Sequence, residues 1–177
     1  MRDEEIEALD FSGWPLPEAY LVEIGRVTAL WSSLEMFLNS CIGKLAGFNE
    51  QGDPKPFILV NHSSFPQRLD MLGTLCEHLV PNFPNLTDYK SVISNLRSAQ
   101  KERNKFAHNS IGPGEQPSEI VMASGSARGS LKTTIQKISI VDIRRATVAI
   151  HEAQLRLYKL VLERDIEPIW KKRRKSL

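Results

Sequence analysis

The hydrophobic spacing of this chain predicts a mainly α protein: a four-helix-type bundle with a β-hairpin inserted between the third and fourth main helices. Three observations carry that expectation. Apolar residues recur at helical spacing over four separate stretches. Prolines punctuate the joins between them, and two β-leaning runs flank a glycine-rich turn late in the chain.

The first helix is predicted from about Pro17 to Leu45. Leu21, Ile24, Val27, Trp31, Leu34, Leu38, Cys41, Ile42 and Leu45 share one side of it, with Pro17 near its start and Gly47 just past its end. A Gly- and Pro-punctuated loop follows, containing a short apolar element, Phe57 to Val60, whose type the sequence leaves open. The second helix is expected over Phe65 to Leu79, its stripe formed by Leu69, Leu72, Leu75, Cys76 and Leu79, and the prolines of "VPNFPN" end it. The third is expected from a cap at Thr87, with Tyr89, Val92, Ile93, Leu96, Ala99 and Ala107 on its apolar side. "GPGEQP" has the composition of a loop, and "EIVMAS" and "SLKTTIQKISI", joined by "GSARG", predict the hairpin. The fourth helix opens at the capping-box sequence "SIVD" and is predicted from about Val141 to Ile166, with Pro168 closing it. Its stripe is Ile143, Ala146, Ile150, Ala153, Leu157, Leu160 and Val161.

The 177 residues suit one compact domain, with residues 1–16 as an N-terminal arm, 110–140 as the loop and hairpin insertion and 167–177 as a basic tail. At 41% hydrophobic and 25% charged residues the composition is that of a soluble globular protein. No apolar run approaches the roughly 20 residues that span a bilayer, so no membrane partner is expected. The acidic start "MRDEEIEALDF" lacks the basic-then-apolar pattern of a secretory signal, and a cytoplasmic location is expected. Cys41 and Cys76 lie far apart on predicted helix faces, which favours buried free thiols over a disulfide or a zinc site.

Net charge is +2, unevenly spread: residues 1–10 hold five acids and one base, whereas "KKRRK" at 171–175 is wholly basic. Two readings of that tail stand, a solvated terminus and a contact to a phosphate backbone. His62, His78 and His151 share no ligand spacing, so neither a metal nor a cofactor is expected. Nucleotide-binding glycine loops, a nucleophile elbow and zinc-binding patterns are absent from the sequence.

What remains is "RNKFAHN", residues 103–109, at the end of the third helix. On a wheel of about 100° per residue Arg103 falls inside that helix's apolar stripe. A buried guanidinium needs a partner. Glu35 lies within the apolar stripe of the first helix, and one expectation is that the two pair between the helices; the other is that each snorkels to the edge of the bundle. His108 stands five residues after Arg103, about 140° around the helix and ~7.5 Å along it, so one helix alone is not expected to aim both at one atom. Asn104, four residues before His108, is placed to fix the orientation of its ring.

Arg103, Asn104 and His108 resemble the Arg-x4-to-6-His motif, with a polar residue directly after the arginine, of the HEPN superfamily (higher eukaryotes and prokaryotes nucleotide-binding domains). "WSSLE" (Trp31 to Glu35) is a weaker likeness to bacterial proteins of this kind. The resemblance implies a helical domain that works as a homodimer, the motif helices facing each other across a composite cleft, and a metal-independent endoribonuclease that leaves a 2′,3′-cyclic phosphate. It assigns His108 as acid or base, Arg103 as charge stabiliser and Asn104 as orienter; Glu35, from its own place in the stripe of the first helix, is the supporting candidate. Lys101 and Lys105 are weak candidates for RNA contact, partly offset by Glu102. The competing readings are a non-catalytic helical homodimer acting as an interaction module, and a nucleotide- or nucleic-acid-binding module that cuts nothing.

Overall fold

A computed structural model describes residues 2–48, 50, 53–116, 118–126, 130 and 132–171. Its elements in chain order are α1 (Asp3–Glu7), α2 (Glu18–Leu45), α3 (Lys55–Val60), α4 (Phe65–Leu79), a 3-10 turn (Pro84–Asp88), α5 (Tyr89–His108), β1 (Ser110–Pro113), β2 (Ile120–Ser126), β3 (Lys132–Lys137) and α6 (Ile140–Leu162). The chain is mainly helical with a small three-stranded antiparallel sheet. Among the described residues no helix is long and apolar enough to cross a membrane.

Helix boundaries follow local chemistry. Gly47 takes φ +92 just past α2, letting Phe48 N–H donate to the Gly43 carbonyl and Gly47 N–H to the Lys44 carbonyl, which satisfies two orphan acceptors of the last turn. Ser64 and Gln67 form a reciprocal capping box at the start of α4, and Ser139 and Asp142 do the same for α6. α6 ends at Leu162, earlier than the expected Ile166, because Glu163 turns into the left-handed region at φ 54. α5 begins at Tyr89, not at a Thr87 cap. Thr87 belongs to the 3-10 turn, where its hydroxyl donates to the Pro84 carbonyl at 2.6 Å. The undecided segment around Phe57 is helical, α3.

The long helices share one apolar core. α2 packs on α6 and α4, α5 packs on α6 and α4, and Leu34, Leu38, Leu69, Leu72, Leu96, Ile143, Ile150 and Leu157 are fully enclosed between them. Cys41 and Cys76 are buried in this core as free thiols, and burial pushes Cys76 up to about 11. The Glu23 carboxylate is also enclosed: Glu23, 3% exposed, accepts from Arg26 at 2.6 Å and Arg144 at 2.8 Å, tying α2 to α6. Burial alone would raise its pKa, but the two guanidiniums outweigh that and hold it below the usual range.

The sheet has order β1-β2-β3, with Ser110 opposite Ala123 and Val121 opposite Lys137. β1 corrects the expectation of a loop at the start of "GPGEQP": Gly112 and Pro113 pair with β2 together with Ser110 and Ile111, whereas Gly114, Glu115 and Gln116 lie outside any strand, as expected. Ile120 and Met122 alternate toward the helices, as a one-sided sheet requires, while β3 is exposed throughout. Most of the "GSARG" turn and the basic tail beyond Lys171 lie outside the described residues.

Two glycines of α2 sit in opposite environments. A Cβ at Gly43 would overlap the Cγ and Cβ of Pro56 in α3, whereas nothing lies within 4 Å of one at Gly25. Gly43→Ala is expected to lower stability by about 1–3 kcal/mol through overpacking, despite the ~1 kcal/mol helix-propensity gain. Gly25→Ala, which keeps the gain alone, is expected to stabilise by up to about 1 kcal/mol. Urea unfolding of the two variants checks both signs; a stable Gly43→Ala would mean that α3 does not press on α2.

Candidate functional site

The site forms where α5 ends. Val92, Leu96, Ala99 and Phe106 are its buried residues, and Arg103, half-buried, takes the stripe position between Ala99 and Phe106. The sequence placed Ala107 in that stripe. It is exposed, because eight residues from Ala99 rotate it by about 80° and Phe106 fills the core position instead. Beyond His108 the backbone turns extended at Asn109 (φ -104, ψ 149) and runs into β1. The Asn109 side chain donates to the Lys105 carbonyl at 2.9 Å, satisfying one of the last acceptors of α5. His108 is thereby fixed on the last helical residue, with its ring exposed.

Arg103 and His108 meet within one chain. Arg103 Nη1 lies 3.0 Å from His108 Nε2 and 3.1 Å from Asn104 Oδ1. The helical offset that argued against convergence is spanned by the two side chains together, whose tips meet although their Cα atoms are five residues apart. Asn104 therefore holds the guanidinium, correcting the expectation that it would orient the imidazole directly.

The expected Glu35 to Arg103 pair is also corrected. Glu35 Oε1 accepts from Arg68 Nη2 at 2.6 Å, and Asn39 Oδ1 accepts from Arg68 Nη1 at 3.0 Å. Trp31, Glu35 and Asn39 are four residues apart along α2 and so share one face, and α4 lies against α2 with Arg68 directed at it. Arg103 comes to the same face one turn away. Its guanidinium carbon is 5.4 Å from the centroid of the Trp31 ring.

A column results. Trp31 and Phe65 are both buried, with centroids 4.5 Å apart at 46°, and the Arg68 guanidinium lies 5.7 Å from Phe65. Cation, ring, ring and cation thus run from α5 through α2 to α4. Sequence reasoning missed Trp31 as the seat of Arg103 and Arg68 as the partner of Glu35. The signal was present, since Arg68 occupies a stripe position between Phe65 and Leu72 just as Arg103 does in α5.

Lys105 is tied to Glu102 at 2.6 Å, which offsets its charge, and Lys101 is exposed. Beside the cluster, a cavity of about 510 Å³ opens between α5, the sheet and α6, lined by Lys105, Phe106, Met122, Lys137 and Arg145 among others. Its cations face acids at close range, Arg145 with Asp142 at 2.8 Å and Lys137 with Glu119 at 2.8 Å. The chemical capacity of the whole is an exposed imidazole and a seated guanidinium in hydrogen-bond contact, the pairing needed to move a proton beside a developing negative charge. Among the described residues no three His, Cys, Asp or Glu side chains cluster so as to hold a metal ion. No family model, curated protein or solved structure matches this chain.

Proposed function

We propose that Arg103, Asn104 and His108 form a phosphodiester-handling site and that the chain is a HEPN-like, metal-independent endoribonuclease. The observation that carries this reading is the 3.0 Å approach of Arg103 Nη1 to His108 Nε2 at an exposed helix end. The resemblance of these residues to the HEPN motif gives it its substrate class.

In the proposed reaction His108 removes the proton of a ribose 2′-hydroxyl, the 2′-oxygen attacks phosphorus, and the bond to the 5′-oxygen breaks as that oxygen takes up a proton from water. The nucleophile belongs to the substrate, so an imidazole and a cation are sufficient for the chemistry. Arg103 neutralises charge on the phosphorane oxygens, and Asn104 keeps the guanidinium in place. Trp31, its ring centroid 5.4 Å from the guanidinium carbon, keeps the cation at this helix end. The resemblance implies a homodimer, but the two groups meet inside one chain, so a second copy is not needed to bring them together.

A second reading has its own support. An arginine seated on a buried tryptophan also serves simply to knit α5 to α2, and such a protein would be a non-catalytic helical module.

The test is incubation of the purified chain with a mixed RNA pool in excess EDTA, with its mass in solution measured in parallel. Cleavage leaving 2′,3′-cyclic phosphate and 5′-hydroxyl ends is the expected result. RNA left intact, or cut only when a divalent metal is added, would rule out the metal-independent nuclease.

A further inference from the structure

A guanidinium carries donors only and keeps its charge throughout the accessible pH range. At 3.0 Å from Arg103 Nη1, His108 Nε2 can therefore only accept, and the proton of the neutral ring sits on Nδ1. The lone pair that a general base would use is occupied by a neighbour in the same site. Asn104 Oδ1 accepts from the same Nη1, so both N–H bonds of that nitrogen are engaged while the ring itself stays exposed.

An anionic phosphate oxygen is a stronger acceptor for a guanidinium than a neutral imidazole, and it can take the fork with two parallel bonds. Seating on Trp31 lets the guanidinium turn its edge from one acceptor to another without leaving its place, because the ring face holds the cation without fixing its donors.

We infer that Arg103 and His108 form an anion-operated latch: at rest Arg103 occupies the Nε2 lone pair of His108, and a phosphodiester draws the guanidinium onto itself and frees that nitrogen. The base is then released only beside a bound phosphate group. This deepens the reading of the cluster as a phosphodiester site and rests on it, yet it concerns a hydrogen bond present before any cleavage.

The experiment is nitrogen NMR of the full-length chain carrying isotopically labelled histidine, in alkaline buffer where imidazoles are neutral, with the His108 signals assigned by their loss in His108→Gln. A neutral histidine side chain free in water favours the proton on Nε2. The expected result is the opposite at His108, with Nδ1 protonated and Nε2 bare. Inorganic phosphate, titrated against chloride at matched ionic strength, is expected to move the Nε2 signal saturably, and Arg103→Ala to return the ring to the solvent tautomer. A proton on Nε2 in the free wild-type chain, or Nε2 signals that phosphate leaves unmoved, would overturn the latch. The wild-type spectra decide the matter alone if Arg103→Ala loosens α5. RNA cleavage by a chain lacking this tautomer would remove the latch and leave the nuclease; the tautomer and its phosphate response without cleavage would do the reverse.

Discussion

With His108 replaced by alanine, RNA cleavage is expected to fall by about 10²- to 10⁴-fold while the fold stays intact. The ring is exposed on the last residue of α5 and its side-chain hydrogen bond is to Arg103, so its removal leaves the core untouched. Melting is expected to change by no more than about 0.5 kcal/mol. Arg103→Ala should lower the rate by about 10²- to 10³-fold through loss of charge stabilisation. It should also cost about 0.5–2 kcal/mol of stability, because the cation on Trp31 is lost. Arg103→Lys keeps a charge but not the planar fork, and an intermediate rate is expected. If the two groups act on one transition state, the double variant will be little slower than the worse single one. The quantities to measure are kcat/KM on a defined RNA and the urea midpoint of each variant. A folded His108→Ala that cuts at the wild-type rate would remove His108 from the chemistry.

The parts of this fold visible in the sequence are those that periodicity controls. The stripes of α2, α4 and α6 are long enough for a 3.6-residue repeat to stand out, and their enclosed residues are largely the ones that the spacing selects. β1 was not visible, because four residues ending in proline carry no alternation and owe their extended form to pairing with β2. Within the site, two polar residues inside apolar stripes, Glu35 and Arg103, were rightly singled out as needing partners. Their actual partners were not, since a helical wheel gives direction around an axis but neither height along it nor which helix stands opposite. α4 faces Glu35 and supplies Arg68, and Arg103 meets an aromatic face instead of a carboxylate. The contact between Arg103 and His108 escaped for a related reason. A wheel places Cβ atoms, and the tips of two side chains can meet although their Cα atoms are five residues apart.

Arg68→Ala is expected to cost about 3 kcal/mol, the low end for a broken enclosed ion pair. Arg68 is 9% exposed and gives both its terminal nitrogens to α2, one to Glu35 and one to Asn39. Its loss leaves the enclosed Asn39 without that donor and the Glu35 carboxylate without a counter-charge. Glu35 keeps 31% of its side-chain surface, so water can reach it, and this keeps the effect from the upper end of the range. The pair itself need not be a net gain, because Arg68 Nε is buried with no hydrogen-bond partner among the described residues. Replacing both members, Arg68→Met with Glu35→Met, is therefore expected to recover at least about 1 kcal/mol of the loss predicted by adding the single variants. Urea unfolding of the four chains measures that coupling, and strict additivity would mean that the pair is not energetically linked. Arg68 also bears on function. Arg68 covers Phe65, Phe65 backs Trp31, and Trp31 seats Arg103. If that column positions the guanidinium, RNA cleavage by Arg68→Ala, assayed where it is fully folded, should fall several-fold with His108 unaltered. Wild-type cleavage by this variant would confine Arg68 to stability and leave Trp31 to hold Arg103 without support from behind.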